Sequence, residues 1–186
     1  MMDKFALRAR VEGYRARSVF KLNFINKKYH LIRKNYKILD LGCYPGSWMQ
    51  YCSNSEAFVV GVDIKKINSI PHTRFIFGNI KDNKIVKEIE KYGKYDLVLS
   101  DLSPNISGNR VLDQARNIEL CQVALNISKK VLKRNGNFVF KIFQGENFNE
   151  FLKEVKEYFN FVKSVKPEAS KKSSKEMYII CLGYKS

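Results

Sequence analysis

The sequence predicts an α/β domain: a seven-stranded, mostly parallel sheet with an antiparallel last strand and helices on both faces. Three observations carry this. Short apolar runs of β character recur seven times along the 186 residues. Helix-period patterns separate several of them, which implies parallel strands joined by crossovers. Only a short Lys/Ser-rich loop, Lys166–Lys175, joins the last two runs, a connection suited to a hairpin.

The elements follow in order. Between Ser18 and Tyr29 the apolar residues Val19, Phe20, Leu22, Phe24 and Ile25 fall on helical spacing, with Ser18 at the N-cap position and Lys21 inside the helix. Strands are expected at Tyr36–Leu41, Ala57–Val62, Arg74–Phe77 and Asp96–Ser100. A long helix over Leu112–Leu132 is marked by Leu112, Ala115, Ile118, Cys121, Val123, Leu125 and Val131, and the strand Asn137–Ile142 comes next. The helix Phe148–Phe159 and the strands Phe161–Val165 and Met177–Leu182 complete the set. Pro45, Pro71, Pro104 and Pro167 all fall in inferred loops. With no repeat and no linker, residues 1–186 read as one domain with a basic N-terminal helical segment to about residue 35.

Hydrophobic content of 45%, with 13 Phe and 10 Tyr, is enough for a packed core without disulfides. The net charge is +16 and is unevenly placed: residues 1–37 carry 11 Lys/Arg against 2 acids, and residues 163–186 carry 6 against 2. Charge concentrated at both ends of the chain makes surfaces that attract phosphate. Cys43, Cys52, Cys121 and Cys181 are scattered, with only His30 and His72 to complete a metal site, so no metal and free thiols are expected. No apolar run approaches the ~20 residues of a membrane span and no secretory segment opens the chain. The expectation is a monomeric intracellular protein without a membrane, in cytoplasm or nucleus, with a mitochondrial or plastid location left open by the basic start.

One segment looks built to meet a ligand. Ile38-Leu39-Asp40-Leu41-Gly42-Cys43-Tyr44-Pro45-Gly46-Ser47-Trp48 runs from a buried strand through a small-residue turn into a helix. In a doubly wound sheet that turn lies at a strand's carboxyl end, where ligands bind. Gly42 and Gly46 allow close backbone approach, and Asp63, ending Val59-Val60-Gly61-Val62-Asp63, is placed to take a ribose diol. The segment lacks GxGxxG and GK[ST], which disfavours dinucleotide and P-loop chemistry.

With four further motifs the chain resembles the FtsJ (RrmJ) family of S-adenosylmethionine-dependent ribosomal RNA (ribose-2′-O) methyltransferases, over nearly its full length from about Arg15 to Gly183. The resemblance rests on YRARSVFKL at Tyr14–Leu22, Asp40–Gln50, SDLSPNISG at Ser100–Gly108, FVFKIFQG at Phe138–Gly145 and KPEASKKSSKEMY at Lys166–Tyr178. It implies the Rossmann-like class I methyltransferase fold and a cofactor, S-adenosylmethionine, released as S-adenosylhomocysteine. It implies a cofactor border including Gly46, Trp48, Asp63 and Asp101, extended here to Asp40, Gly42, Pro45, Ser47, Ile64, Asn79 and Ile80. It implies a catalytic tetrad of Lys21, Asp101, Lys141 and Glu176. The chain departs from the family pattern at Asn79, where an acid is usual, at Cys43-Tyr44, where small residues are usual, and at Ser47, where Gly is usual.

The chemistry explains such a set. A ribose 2′-hydroxyl is a poor nucleophile, and an in-line displacement on a sulfonium methyl needs its proton taken or polarised. A lysine can take it only as a neutral amine. Lys141, at the end of an apolar strand, is either that base or a charged group orienting the hydroxyl, while Asp101 and Glu176 hold the lysines in place. Arg8, Arg10, Arg15 and Arg17, then Lys27, Lys28, Arg33 and Lys34, precede the cofactor motif, and Lys166, Lys171, Lys172 and Lys175 surround Glu176. If Lys21 and Glu176 share a site, both clusters flank it. Arg8, Arg10, Arg15, Arg17, Lys171 and Lys172 are the candidate RNA contacts. The substrate implied is large-subunit ribosomal RNA, alone or in a ribosomal subunit, at a uridine. Transfer RNA, or a non-catalytic RNA-binding role, are the alternatives.

Overall fold

The computed structural model describes residues 3–170 and 174–185. Its centre is a seven-stranded sheet in the order β3-β2-β1-β4-β5-β7-β6, formed by β1 (Lys37–Leu41), β2 (Phe58–Asp63), β3 (Thr73–Phe77), β4 (Tyr95–Ser100), β5 (Leu132–Phe143), β6 (Phe159–Val165) and β7 (Glu176–Tyr184). The first five strands are mutually parallel, and β7 lies between β5 and β6, antiparallel to both. The predicted hairpin is therefore present, and its second arm inserts into the sheet rather than extending its edge.

Strand alternation divides the core in two. Leu39, Val60, Val98, Phe138, Phe140 and Ile179 pack under α4 (Asn83–Glu90), α5 (Arg110–Val131) and α6 (Phe148–Tyr158). Ile38, Val59, Leu97, Leu99, Val139 and Tyr178 pack under α2 (Val19–Tyr29) and α3 (Ser47–Ser53). Unbroken apolar runs in the central strands are what two covered faces require.

Local chemistry sets the helix starts. α1 (Lys4–Val11) begins where Asp3 accepts hydrogen bonds from the Phe5 and Ala6 amides, α4 where Asp82 accepts from Lys84, and α5 where Asn109 accepts from Val111 and Leu112. Helix α1 falls in the expected N-terminal helical segment, whereas α4, with Val86 and Ile89 buried on one face, was not singled out in the sequence. Ser18 does stand at the N-cap of α2, but its side chain makes no cap bond, and its hydroxyl instead meets that of Ser47 at 2.9 Å. β5 starts at Leu132, before the expected Asn137. Its pairing with β4 jumps from Leu132 to Asn137 between Tyr95 and Leu97, so the regular ladder begins where the alternating pattern does.

β1 is flanked by β2 on one side and β4 on the other, which makes its carboxyl end the point where strand order reverses. Asp63, Asn79 and Asp101 all follow strand ends on that same rim, where doubly wound folds hold ligands.

Candidate active site

At the end of β1 the chain turns through Gly42, whose φ of +78° suits glycine and whose notional Cβ would stand 2.9 Å from Leu102 Cδ2. The turn opens a cavity of about 400 Å3 bordered by Gly42, Tyr44, Asp63, Ile64, Asn79, Ile80 and Asp101 among others, a size in the range of small-molecule sites. Asp63 is pinned at its mouth: one carboxylate oxygen accepts from the Tyr44 amide at 2.9 Å and the other from the Lys65 amide at 2.8 Å. Both oxygens keep a further lone pair for a diol. The Asn79 side-chain oxygen accepts from the Lys81 amide at 3.0 Å, which leaves one lone pair and the amide nitrogen to face the cavity. Tyr44 is half-exposed on the rim, with Lys65 Nζ 5.1 Å from its ring centre.

Four other residues expected at the cofactor border turn their side chains or carbonyls elsewhere. The Trp48 indole is buried in the core, donates to the Ser18 carbonyl at 2.8 Å and lies against Tyr178. Ser47 is buried against Ser18. The carbonyl of Pro45 accepts from Arg15, and a Cβ on Gly46 would stand 2.9 Å from Arg15 Nη1. These residues shape the turn from behind, because α3 leaves the sheet toward α2. Asp40 lies deeper still. It is 1% exposed, neither carboxylate oxygen has a hydrogen-bond partner among the described residues, and burial, followed by the charges of Asp101 and Asp63, holds its carboxyl well above the usual range.

The four residues of the implied tetrad do converge, from α2, the end of β4, β5 and β7. Lys141 Nζ donates to the Asp101 carbonyl at 2.8 Å and stands 3.2 Å from Asp101 Oδ1. Lys21 Nζ stands 2.6 Å from Glu176 Oε1, a contact of charges rather than an aligned hydrogen bond, since that oxygen has no hydrogen-bond partner among the described residues. Tyr178 lies between the two pairs. Its hydroxyl donates to Asp101 Oδ1 at 2.6 Å, and Lys21 Nζ is 5.7 Å from its ring centre. Burial, reinforced by Asp101 and Glu176, pushes the phenol well up, so it remains a donor at neutral pH. Tyr178 was not among the residues singled out in the sequence, although its place two residues after Glu176 put both side chains on one face of β7. From the opposite layer, α5 steadies the end of β5: Cys121 Sγ donates to the Lys141 carbonyl at 3.2 Å and Asn117 accepts from the Phe143 amide at 2.7 Å.

The family profile described as FtsJ-like methyltransferase matches residues 14–184. The chain belongs to that family. Over 98% of its length it is 40% identical to the ribosomal RNA large subunit methyltransferase E of Cenarchaeum symbiosum and 41% identical to the protein of the same name from Acinetobacter baylyi, covering 95% and 88% of those chains. Among solved structures, one from Plasmodium falciparum, described as a ribosomal RNA methyltransferase, superposes with a TM-score of 0.83 at 28% identity, over 92% of this chain and 98% of that one.

In this FtsJ-like methyltransferase the N-terminal basic stretch divides by role. The Arg15 guanidinium donates to the carbonyls of Pro45, Asn68 and Ser69, while its amide donates to Gln50. Arg17 pairs with Asp3 and donates to the Ala169 carbonyl. Both groups, expected to face RNA, hold the methyltransferase's own backbone. Arg8 pairs with Glu12 on the exposed face of α1, and Arg10 is exposed with no side-chain partner among the described residues. Lys171 and Lys172 lie outside the described residues. Among those described, no group of three His, Cys, Asp or Glu is placed to hold a metal ion. No described helix is long and apolar enough to cross a membrane.

Proposed function

We propose that this methyltransferase uses S-adenosylmethionine to methylate a ribose 2′-hydroxyl of large-subunit ribosomal RNA, at a uridine. The observation that carries the reading is the position of Asp101, which borders the cavity and also holds Lys141 through its carbonyl and its carboxylate. The residues fit the cofactor. Asp63 is pinned for a ribose diol, Asp101 stands at the other side of the cavity, and Asp40 is a buried carboxyl without a partner beneath it. The two carboxylates that border the cavity, Asp63 and Asp101, favour a cationic occupant.

S-adenosylmethionine supplies a methyl group on positively charged sulfur. The chain has to present the acceptor oxygen in line with it. Lys141 Nζ donates to the Asp101 carbonyl and stands 3.2 Å from its carboxylate, which leaves donor capacity for the 2′-oxygen. Tyr178 fixes the carboxylate that fixes Lys141. Lys21 and Glu176 close the other side of the acceptor position and place a second cation near the phosphate backbone. Alignment of this kind supplies a large part of the rate of a bimolecular displacement. The choice of ribosomal RNA is supported by the names of the relatives that are 40% and 41% identical to it.

The test uses labelled S-adenosylmethionine with naked large-subunit ribosomal RNA, assembled subunits and bulk transfer RNA, for the wild type and Lys141→Ala. Alkali-resistant ribose methylation of ribosomal RNA, lowered at least about a hundredfold in the variant, is expected. Methylation of transfer RNA alone overturns the substrate, and full activity in the variant overturns the mechanism.

A further inference from the structure

Beyond Lys141, at the end of β5, a second and smaller cavity of about 250 Å3 is lined by Ile106, Arg110, Asp113, Gln114, Phe143, Ser174 and Lys175. Phe143 follows Lys141 by two residues, about 7 Å along the strand, and is the cross-strand partner of Glu176. The cavity therefore adjoins the catalytic set without containing any of it.

Of its lining residues, Ile106 is 65% exposed. The stretch that carries it is pinned. Ser107 donates from its amide at 2.9 Å and its hydroxyl at 2.8 Å to Asp113 Oδ1, and Asn109 caps α5. The Ser107 hydrogen bonds hold the Asp113 carboxyl below the usual range and engage the acid that lines the cavity. The far wall is equally fixed: Gln114 donates to the Gln144 carbonyl at 2.9 Å, and Gly145 lies so close that a Cβ would stand 2.4 Å from the Gln114 side chain. Arg110 and Lys175 are exposed at the rim. An open cavity with two apolar residues, Ile106 and Phe143, and cations at its edge suits a flat, uncharged ring carried on a phosphate chain.

We propose that this cavity receives the unstacked base of the acceptor nucleotide, packed on Ile106 and Phe143, with Arg110 and Lys175 on the flanking phosphates. Single-stranded RNA is read by splaying bases into such sites. This rests on the proposed RNA 2′-hydroxyl chemistry and adds where the base is held while its ribose lies at Lys141.

Two measurements test it. Large-subunit ribosomal RNA transcribed with 4-thiouridine is bound, irradiated and digested, and the cross-links are expected in residues 103–114 or at Phe143. Cross-links confined to α1 overturn the proposal. Separately, Arg110→Ala and Ile106→Ser, both exposed substitutions, are expected to raise the KM for RNA about tenfold with S-adenosylmethionine affinity unchanged. An unchanged KM in both overturns it. A wild type that methylates no RNA defeats the proposed function whatever the cross-links show, whereas a methylating wild type with KM unchanged in both variants defeats the base site alone.

Discussion

Lys141 and Tyr178 stand directly opposite each other in the β5–β7 ladder, and their polar ends meet on one atom, Asp101 Oδ1, at 3.2 and 2.6 Å. The antiparallel insertion of β7 beside β5 makes this possible, since paired residues on neighbouring strands project to the same face. Tyr178 is a positioning residue: it reaches the reaction only through Asp101.

Tyr178→Phe keeps the ring against Trp48 and removes one donor from Asp101. A hydrogen bond to a charged acceptor contributes about 1.5 kcal/mol, so kcat is expected to fall about tenfold with KM for both substrates nearly unchanged. A fall in thermal stability with kcat intact would make the residue merely structural.

Lys21 and Glu176 are each only 13% exposed. Lys21→Ala leaves a largely buried carboxylate without its counter-charge, a loss of about 1–3 kcal/mol. Lys21→Ala combined with Glu176→Gln is expected to recover most of that stability in a denaturant melt but not the methylation rate. Recovery of both would remove the pair from the mechanism.

Asp40 gives a pH dependence whose sign is fixed by its raised carboxyl. The folded protein holds this proton where the unfolded chain has released it. Its contribution to stability therefore falls as pH rises from the ordinary value of 3.8 toward the raised one. Asp40→Asn is expected to melt higher than wild type at pH 8 without cofactor, to lose that advantage near pH 4, and to bind S-adenosylmethionine more weakly. Equal melting temperatures at pH 8 would show that Asp40 is not held neutral.

Arg15 and Arg10 separate structural from substrate-facing charge. Arg15→Ala frees three carbonyls, including that of Pro45 in the cofactor turn. It is expected to cost about 2 kcal/mol and to weaken cofactor binding, with the salt dependence of RNA binding unchanged. Arg10→Ala should leave the melting temperature alone and reduce the slope of log affinity against log salt by about 1. The reverse pattern would reassign both residues.

Much of this was legible along the chain because it depends on neighbours in sequence. Short apolar runs mark Lys37–Leu41, Phe58–Asp63 and Tyr95–Ser100 as strands whatever lies beside them, and the glycine turn after β1 needs only its own backbone. The four residues of the implied tetrad, named through the family motifs that contain them, are ones the structure brings together. Helix α4 was not legible, since the cap at Asp82 and packing on the domain decide a segment of eight residues.

Partnership between distant residues belongs to the tertiary structure. A guanidinium reads the same in sequence whether it meets a phosphate or a carbonyl, so only the approach of residues 45, 68 and 69 to Arg15 turned a candidate RNA contact into a clamp. Trp48 and Ser47 lie in the segment expected to border the cofactor, yet the direction in which α3 leaves the sheet turns both side chains toward Ser18. By itself the sequence determined the strand pattern, the excess of positive charge and the family. Which lysine meets which acid, and that Tyr178 joins them, followed from where β7 enters the sheet, because side-chain hydrogen bonds form only across distances that packing sets.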